Sequence, residues 1–464
     1  MGKLLAVLIL LLAAAGAAWY IAGRADPPDI EITRPARLIG PAGDLDVTIT
    51  APGGELTQLE VVLQQGEKRL AVFDLASAGA GELVREDGDR LHLARSVGKR
   101  DLPELEAGPA TIQVTAVRPA LFGLRELAAT ASREVEVRLT PPLVSVASRF
   151  HYINHGGSEV VVYRVRPTDV ESGVRVGEYE YRGYPAAGAG VEGADPGLRV
   201  AFFALLWNQD VKTPISLYAR DEVGNESRAS FDHRVFPKTF RHSRITLSDR
   251  FLQKVVPEIL YNTPELEVED PSNLLASYLR INGELRRRNN ARIAAMAEQT
   301  APEILWHGAF RQLTNSAVEA GFADQRTYVY EGREVDQQVH LGFDLASTSN
   351  APVLAANSGR VVHAGWLGIY GNCVIVDHGM GVQSLYAHLS AIDVAVGDHV
   401  EKNGQLGLSG ESGLAGGDHL HFTMLLGGHA VTPIDWWSQQ WIDDRILRKL
   451  DEATPKEEAA PAGG

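Results

Sequence analysis

The heptapeptide Gly416-Gly-Asp-His-Leu-His-Phe422 carries the pattern that decides how the C-terminal part of this 464-residue chain is interpreted. Residues i and i+2 of a β-strand point to the same face, so His419 and His421 are predicted to reach one site from one strand. Two adjacent imidazoles on a buried face are unfavourable unless their nitrogens bind something, and imidazole is a common ligand of zinc. A His-x-His pair alone is a weak signal, because ordinary strands also contain such pairs.

Two motifs upstream supply compatible side chains. His340-Leu-Gly-Phe-Asp344 contributes an imidazole and a carboxylate, and Tyr386-Ala-His388-Leu389 contributes a further histidine. Two histidines and one carboxylate are a recurrent ligand set of catalytic zinc, whereas structural zinc sites are rich in cysteine and this chain has only Cys373. A catalytic zinc ion lowers the pKa of its bound water to about 7 and so supplies a hydroxide nucleophile. Such a site also needs a base and a donor for the developing oxyanion, and His388 and the remaining histidine of the pair can fill these roles. Each residue taken alone is more simply read as a core or loop residue, but the five together predict a site.

These motifs resemble those of the lysostaphin- and LytM-type zinc metallopeptidases, which hydrolyse peptide bonds in peptidoglycan. The resemblance runs from about His340 to Trp436 and includes the glycines between the motifs, among them Gly342. The segments Ser384-Leu-Tyr-Ala-His-Leu-Ser390 and Val431-Thr-Pro-Ile-Asp435 also match the family pattern. The resemblance implies a small antiparallel β-domain with its site in a groove on a sheet.

Carried over position by position, the resemblance implies a metal site and a catalytic pair. The implied ligands of Zn²⁺ are His340, Asp344 and His421. The implied catalytic residues are His388 and His419, which would share the roles of general base and transition-state stabiliser. Family members often have a proline before the His-x-His pair and a glutamate after its phenylalanine, where this chain has Asp418 and Thr423. Neither position is a ligand or a catalytic group in the family pattern.

The upstream part of the chain is predicted to be mainly β. Between residues 26 and 140 apolar and polar residues alternate, as in Leu45-Asp-Val-Thr-Ile49, which is typical of half-buried antiparallel strands. A second set, including Val161-Val-Tyr-Arg-Val165, covers residues 141–237. Each set predicts an immunoglobulin-like β-sandwich that acts as a spacer or a binding module.

A helical connector is predicted between these sandwiches and the metallopeptidase domain. The apolar spacing becomes helical over residues 238–301, with Ser248 and Ser272 as the predicted N-caps of two helices. The antiparallel β metallopeptidase domain then spans residues 302–437. Residues 438–464 are predicted to form a short helix and a disordered tail, because the tail consists of Ala, Pro, Glu and Gly.

The N-terminal segment, residues 1–25, predicts export. The run Leu4–Gly23 contains no charged residue, and twenty such residues can cross a bilayer core of roughly 30 Å as a helix. A transmembrane signal-anchor is favoured over a cleaved signal peptide, because the apolar run continues past the small residues at 13–18. The expected location is the inner membrane, single-pass with the catalytic domain in the periplasm. The alternative is secretion to the periplasm after signal cleavage.

The charge balance limits the partners. The chain has 44 basic and 59 acidic residues, a net charge of −15, so it repels phosphate backbones and is not expected to bind nucleic acid. The leading hypothesis is a zinc-dependent endopeptidase that hydrolyses peptide cross-links of peptidoglycan. A non-catalytic scaffold or regulator of other wall hydrolases, and a peptidase of exported proteins, are the alternatives. Expected partners are peptidoglycan peptides, the inner membrane through the N-terminal helix, and a protein regulator.

Overall fold

The fold is mainly β, as predicted, with 44% of the structure in strands and 18% in helices. The computed structural model describes residues 2–22, 25–77, 82–120 and 123–455. Two compact units are present, Met1–Pro142 with Arg220–Glu226, and Leu143–Ala219 with Ser227–Gly464. Residues 23–24 at the end of the predicted apolar run, and the predicted tail at 456–464, lie outside the described residues, as do residues 1, 78–81 and 121–122.

The first unit contains a helix and a β-sandwich. Its elements are α1 (Gly2–Ala22), β1 (Asp29–Arg34), β2 (Leu38–Ile39), β3 (Asp44–Thr50), β4 (Gln58–Gln65), β5 (Lys68–Asp74), β6 (Leu83–Asp87), β7 (Arg90–Ser96), β8 (Gly108–Ala120) and β9 (Arg125–Val137). The sheets β1-β3-β7-β6 and β2-β9-β8-β4-β5 share one core. Leu45, Val47 and Ile49 are buried in it, which confirms the alternation of this strand. The immunoglobulin-like topology stays a prediction.

Helix α1 exposes large apolar side chains, including those of Leu10 and Leu12. Among the described residues, no helix meets the length and apolarity required of a membrane span.

The second unit begins with another pair of sheets, β10-β12-β16-β15 and β14-β13-β17-β18, and the short parallel pair β11-β19. These strands are β10 (Leu143–Val146), β11 (His151–Asn154), β12 (Ser158–Arg166), β13 (Glu171–Val176), β14 (Tyr179–Arg182), β15 (Tyr184–Pro185), β16 (Leu198–Ala204), β17 (Ile215–Arg220), β18 (Glu226–Ser230) and β19 (His233–Phe236). Val161, Tyr163 and Val165 are buried as their alternation predicts, and Arg164 between the last two is exposed. Val162 is buried as well, because β12 is covered on both faces at its start. Lys449 of the C-terminal helices lies against it and bonds to Glu159 and the carbonyl of Val160.

The segment predicted as a helical connector begins with a strand. Its elements are β20 (His242–Thr246), α2 (Asp249–Asn262), α3 (Leu274–Arg280), a π-helical turn (Ile281–Leu285) and α4 (Arg286–Ala297). Ser248 caps α2 as predicted, since its hydroxyl accepts from the Phe251 amide. The predicted cap Ser272 is wrong, because its hydroxyl bonds to Asp270 and the side chain of Asn273 caps α3 instead.

The remaining elements form the C-terminal sheet and its flanking helices. They are β21 (Ala317–Ala320), β22 (Asp324–Tyr330), β23 (Arg333–His340), β24 (Phe343–Ala346), β25 (Pro352–Leu354), β26 (Gly359–Trp366), β27 (Asn372–Asp377), β28 (Val382–Leu389), β29 (Ala391–Ile392), β30 (His399–Val400), β31 (Gln405–Leu408), β32 (Leu420–Leu426), β33 (His429–Val431), α5 (Pro433–Trp436), α6 (Gln439–Trp441), a π-helical turn (Ile442–Leu447) and α7 (Arg448–Ala453). Two 3-10 turns cover Ala186–Ala189 and Gly368–Tyr370.

The large antiparallel sheet of this part has the order β21-β24-β32-β28-β27-β26-β30, with β33 beside β32. Strand β20 pairs in parallel with β22, so the connector extends the small sheet β20-β22-β23. Helices α2 and α3 share a core with Tyr328 and Ile369. The helical segment is therefore packed on the domain that carries the predicted site.

Candidate metal centre

Strand register brings the three predicted ligands together. Asp344 in β24 lies directly opposite His421 in β32, and side chains opposite each other in an antiparallel pair share a face. Asp344 Oδ1 is 2.9 Å from His421 Nδ1 and 2.8 Å from Nε2 of His340, the last residue of β23. His340 Nε2 and His421 Nδ1 are 3.0 Å apart. The three side chains thus present one ligand atom each to a common point.

Hydrogen bonds on the far side of each ring fix the imidazole tautomers. His340 Nδ1 is 3.0 Å from the carbonyl oxygen of Gly321, which can only accept, so this nitrogen carries the proton. The Thr423 hydroxyl donates to the carbonyl of Leu341 at 2.8 Å, so it accepts from His421 Nε2 at 3.0 Å. The nitrogens that face the common point, His340 Nε2 and His421 Nδ1, are therefore both left with a lone pair.

This donor set fits a zinc ion. Three atoms that each present a lone pair within 3.0 Å repel one another unless a cation lies between them. Burial lowers the pKa of His421 to about 4, which keeps its ring neutral at pH 7. Two neutral imidazoles and one carboxylate are a common zinc-binding set.

The second oxygen of Asp344 is held by an arginine. Arg326 Nη2 donates to Asp344 Oδ2 at 3.2 Å, and Arg326 Nε lies 3.4 Å from Asp324 Oδ2. Asp324 also accepts from the Ser243 hydroxyl at 2.8 Å. This chain of contacts fixes the carboxylate plane and leaves Oδ1 directed at the two imidazoles. Sequence reasoning missed Arg326, which precedes the motifs and lies in no recognisable pattern.

The predicted catalytic pair lies beside the three ligands. His419 is on the same face as His421, as the i, i+2 spacing predicts, and its Nε2 is 3.5 Å from Asp344 Oδ1. Its Nδ1 donates to the Gly417 carbonyl at 2.8 Å. His388 Nδ1 donates to the Ser412 carbonyl at 2.8 Å, and burial holds the pKa of His388 well below its usual value. Nε2 of His388 is therefore without a proton. Burial would lower the pKa of His419, but the hydrogen bond to Asp344 and its charge outweigh burial and raise that pKa.

An unusual backbone conformation turns His388 towards this face. Ala387 lies opposite His421 in the β28–β32 register, so strand alternation would direct the next side chain to the other face of the sheet. His388 instead has φ of +62°, in the left-handed region that L-residues with a side chain rarely adopt. Its ring centroid is 4.9 Å from that of His419 and 5.8 Å from that of His421. Residues held in this region often occur at functional sites.

The five residues line a cavity of about 330 Å³. A volume of this size is within the range of small-molecule and peptide-binding pockets. Helical-segment residues Phe251, Tyr278 and Arg286 also line it, as does Tyr370. None of these four was predicted as a site residue; Phe251, Tyr278 and Arg286 lie well before the first motif, and Tyr370 lies between the first and second motifs but belongs to neither.

Two tyrosines of β22, Tyr328 and Tyr330, have different surroundings. Tyr328 is buried and lines the cavity. The Tyr330 hydroxyl donates to Asp249 Oδ1 at 2.8 Å, which attaches β22 to the start of α2.

The two departures from the family pattern have structural partners. Asp418 accepts from the Ser409 hydroxyl at 2.6 Å and from the Asn350 amide at 2.8 Å, so it ties together the loops before β32. Thr423 holds Nε2 of His421, as described above. Both residues therefore support the predicted ligands without facing their common point.

Comparison with known proteins confirms the resemblance for part of the chain. Residues 338–433 match the family model described as Peptidase family M23. The DD-carboxypeptidase/endopeptidase Mpg of Neisseria meningitidis serogroup B is 38% identical over 97 residues, 21% of this chain and 22% of that protein. The murein hydrolase activator EnvC of Escherichia coli is 37% identical over 95 residues, 20% of this chain and 23% of that protein. This chain thus spans less than a quarter of the length of either relative.

A solved structure also matches part of this chain. The catalytic domain of the antimicrobial peptidase lysostaphin from Staphylococcus simulans is 28% identical to this chain. The match covers 28% of this chain and 98% of the lysostaphin domain, with a TM-score of 0.25.

Proposed function

We propose that this chain is a zinc-dependent endopeptidase that hydrolyses peptide cross-links of peptidoglycan in the cell envelope. One observation carries the proposal: His340 Nε2, Asp344 Oδ1 and His421 Nδ1 converge with their lone pairs unpaired. The convergence lies within the stretch that matches Peptidase family M23. Substrate class is taken from the relatives, since one is named a DD-carboxypeptidase/endopeptidase and the other a murein hydrolase activator.

The chain's own side chains have separate tasks in this proposal. Zinc bound by the three ligands would polarise a peptide carbonyl and make a water molecule more acidic. Arg326 keeps Asp344 oriented through Oδ2. His388 and His419 line the cavity beside the ligands, where the two rings would share the roles of general base and transition-state stabiliser.

A scaffold or regulator of other wall hydrolases is the second candidate. The similarity to the activator EnvC is the finding that favours it. The presence of a full ligand set with fixed tautomers favours the enzyme, because a module without metal chemistry has no need to turn three lone pairs towards one point. A peptidase of exported proteins would use the same site with a different substrate.

The proposed location is the periplasm. It is supported by the uncharged run Leu4–Gly23 and by the substrate class, since peptidoglycan lies outside the cytoplasmic membrane. Attachment to the inner membrane and release after cleavage are distinguished by the N-terminal sequence and the membrane fraction of the chain expressed in cells.

The function is tested by incubating the zinc-loaded full chain with purified peptidoglycan and identifying released peptides by mass spectrometry. His388→Ala is expected to keep zinc and to lose hydrolysis by at least about 100-fold, because a general acid–base group contributes roughly 10²–10⁴ to the rate. His429→Ala, a half-buried histidine away from the ligands, is the matched control and should cleave normally. Equal cleavage by both variants would refute the assigned role of His388. Cleavage of exported proteins but not of peptidoglycan would favour the alternative substrate.

A further inference from the structure

Helix α4 places an arginine in the wall of the cavity. Arg286 is the first residue of that helix, directly after the π-helical turn, and lies outside the stretch that matches Peptidase family M23. Its Nε donates to the carbonyl of Asn282 at 3.2 Å, and its Nη2 donates to the Asn282 side-chain oxygen at 2.5 Å. Asn282 is itself buried and donates to Asp336 at 2.7 Å. The guanidinium is thereby fixed in position beside the cavity.

Arg286 differs from nearby arginines of the cavity and the helical segment, whose charges are neutralised by carboxylates. Arg326, the other arginine of the cavity, pairs with two carboxylates. Arg280 and Arg288, which precede and follow Arg286 on the same helical segment, both pair with Glu284. Arg286 has no carboxylate partner among the residues that the structure describes, and the acceptors of its hydrogen bonds are the backbone carbonyl and the neutral side chain of Asn282.

We infer that Arg286 binds a carboxylate of the peptide substrate and is a specificity-determining residue of this cavity. A fixed guanidinium pairs bidentately with a carboxylate, and such charge-assisted hydrogen bonds are stronger than neutral ones. The inference rests on the proposed function for the identity of the substrate. The carboxylate can be the C-terminal one of a peptide stem or one on a side chain, because both present the same pair of oxygens.

A purely structural role makes a different prediction. The contacts of Arg286 with Asn282 would then stabilise the π-helical turn and nothing else, so replacing the arginine would change stability but not ligand preference. Ligand preference is therefore the quantity to measure.

The test is equilibrium binding to the zinc-loaded full chain in a His388→Ala background, so that bound peptide is not consumed. The probes are a synthetic peptidoglycan stem tetrapeptide with free carboxylates and the same peptide amidated at its C-terminus, at its side chains or at both. Arg286→Gln removes the charge and Arg286→Lys keeps it. Arg287→Gln is the matched control, because Arg287 is the exposed next residue of the same run and does not line the cavity.

We expect the parent chain to prefer the free peptide over the doubly amidated one by about 10-fold or more, the size of one charge-assisted hydrogen bond. Arg286→Gln should abolish that preference, Arg286→Lys should keep part of it, and Arg287→Gln should keep all of it. The singly amidated peptides identify which carboxylate is bound. Equal binding of all peptides by the parent, a preference that survives Arg286→Gln, or no binding at all would overturn the inference.

Cleavage of peptidoglycan by the chain with His388 intact tests the proposed function independently of the binding measurements on Arg286. If the chain with His388 intact does not cleave peptidoglycan but Arg286 still determines the carboxylate preference, the site binds wall peptides without hydrolysing them. In that case the inference about Arg286 stands and the proposed enzyme activity does not.

Discussion

Thr423→Val removes one hydroxyl next to the proposed metal centre and leaves the shape of the side chain nearly unchanged. The hydroxyl accepts from His421 Nε2 at 3.0 Å and donates to the Leu341 carbonyl at 2.8 Å, and Thr423 is only 3% exposed. Without it, the buried His421 N–H loses its acceptor, and the tautomer with the proton on Nδ1, the ligand atom, is no longer disfavoured. Loss of such a supporting contact lowers metal affinity by about 10- to 100-fold, which corresponds to roughly 1.4–2.7 kcal/mol.

The assay is competition for zinc between the full chain and a chromophoric chelator at pH 7. Thr432→Val is the matched control, because Thr432 is equally buried and its hydroxyl has no hydrogen-bond partner in the described part of the chain. The control should bind zinc like the wild type. A Thr423→Val chain whose zinc affinity stays within about threefold of the control would refute the argument that Thr423 fixes the His421 tautomer.

Three further predictions concern packing and pH. Gly342→Ala should weaken zinc binding in the same competition assay, because the new Cβ would lie 2.6 Å from the His421 ring. Gly416→Ala is the control and should bind zinc normally, because a Cβ at that position would have no atom within 4 Å. Equal effects of the two substitutions would contradict this reasoning. Lys449→Met should cost about 3–5 kcal/mol of unfolding free energy in urea, because the buried Glu159 carboxylate then keeps only the more distant Arg445, at 3.9 Å, as a cationic partner. Glu159→Leu in the same chain should recover most of the loss. Burial lowers the pKa of His378 to about 4, so below pH 6.5 the unfolded chain binds a proton that the folded chain does not, and the free energy of unfolding should fall between pH 6.5 and pH 4. His378→Gln should reduce that fall, measured by tryptophan-monitored unfolding at several pH values. An unchanged dependence on pH in the variant would contradict this reasoning.

Local spacing explains what could be predicted about the site. His419 and His421 are two residues apart on one strand, and Asp344 lies opposite His421, so ligand convergence follows from short motifs and antiparallel pairing. The pairing of Asp344 with His421 joins positions 77 residues apart and was predicted from the family resemblance, whereas the shared face of His419 and His421 follows from their local spacing alone. The same holds for Ser248, whose capping hydroxyl acts on an amide three residues away.

Distant contacts explain what could not be predicted. Arg286 and Phe251 reach the cavity only because the helices pack on the C-terminal sheet, and no local pattern indicates that packing. The covered second face of β12 depends in the same way on Lys449, almost three hundred residues later in the chain. The left-handed backbone conformation of His388 could not be predicted for a different reason, because no glycine or turn motif marks that position in the sequence.

The most direct test of the central claim is zinc content and peptidoglycan cleavage measured on one sample of the full chain, with His340→Ala as the control. The account predicts about one zinc per chain, release of wall peptides, and loss of both in the control, because His340 supplies one of three converging ligand atoms. Zinc without cleavage would contradict the enzyme and favour the regulator. Cleavage that persists in the control would contradict the metal centre itself.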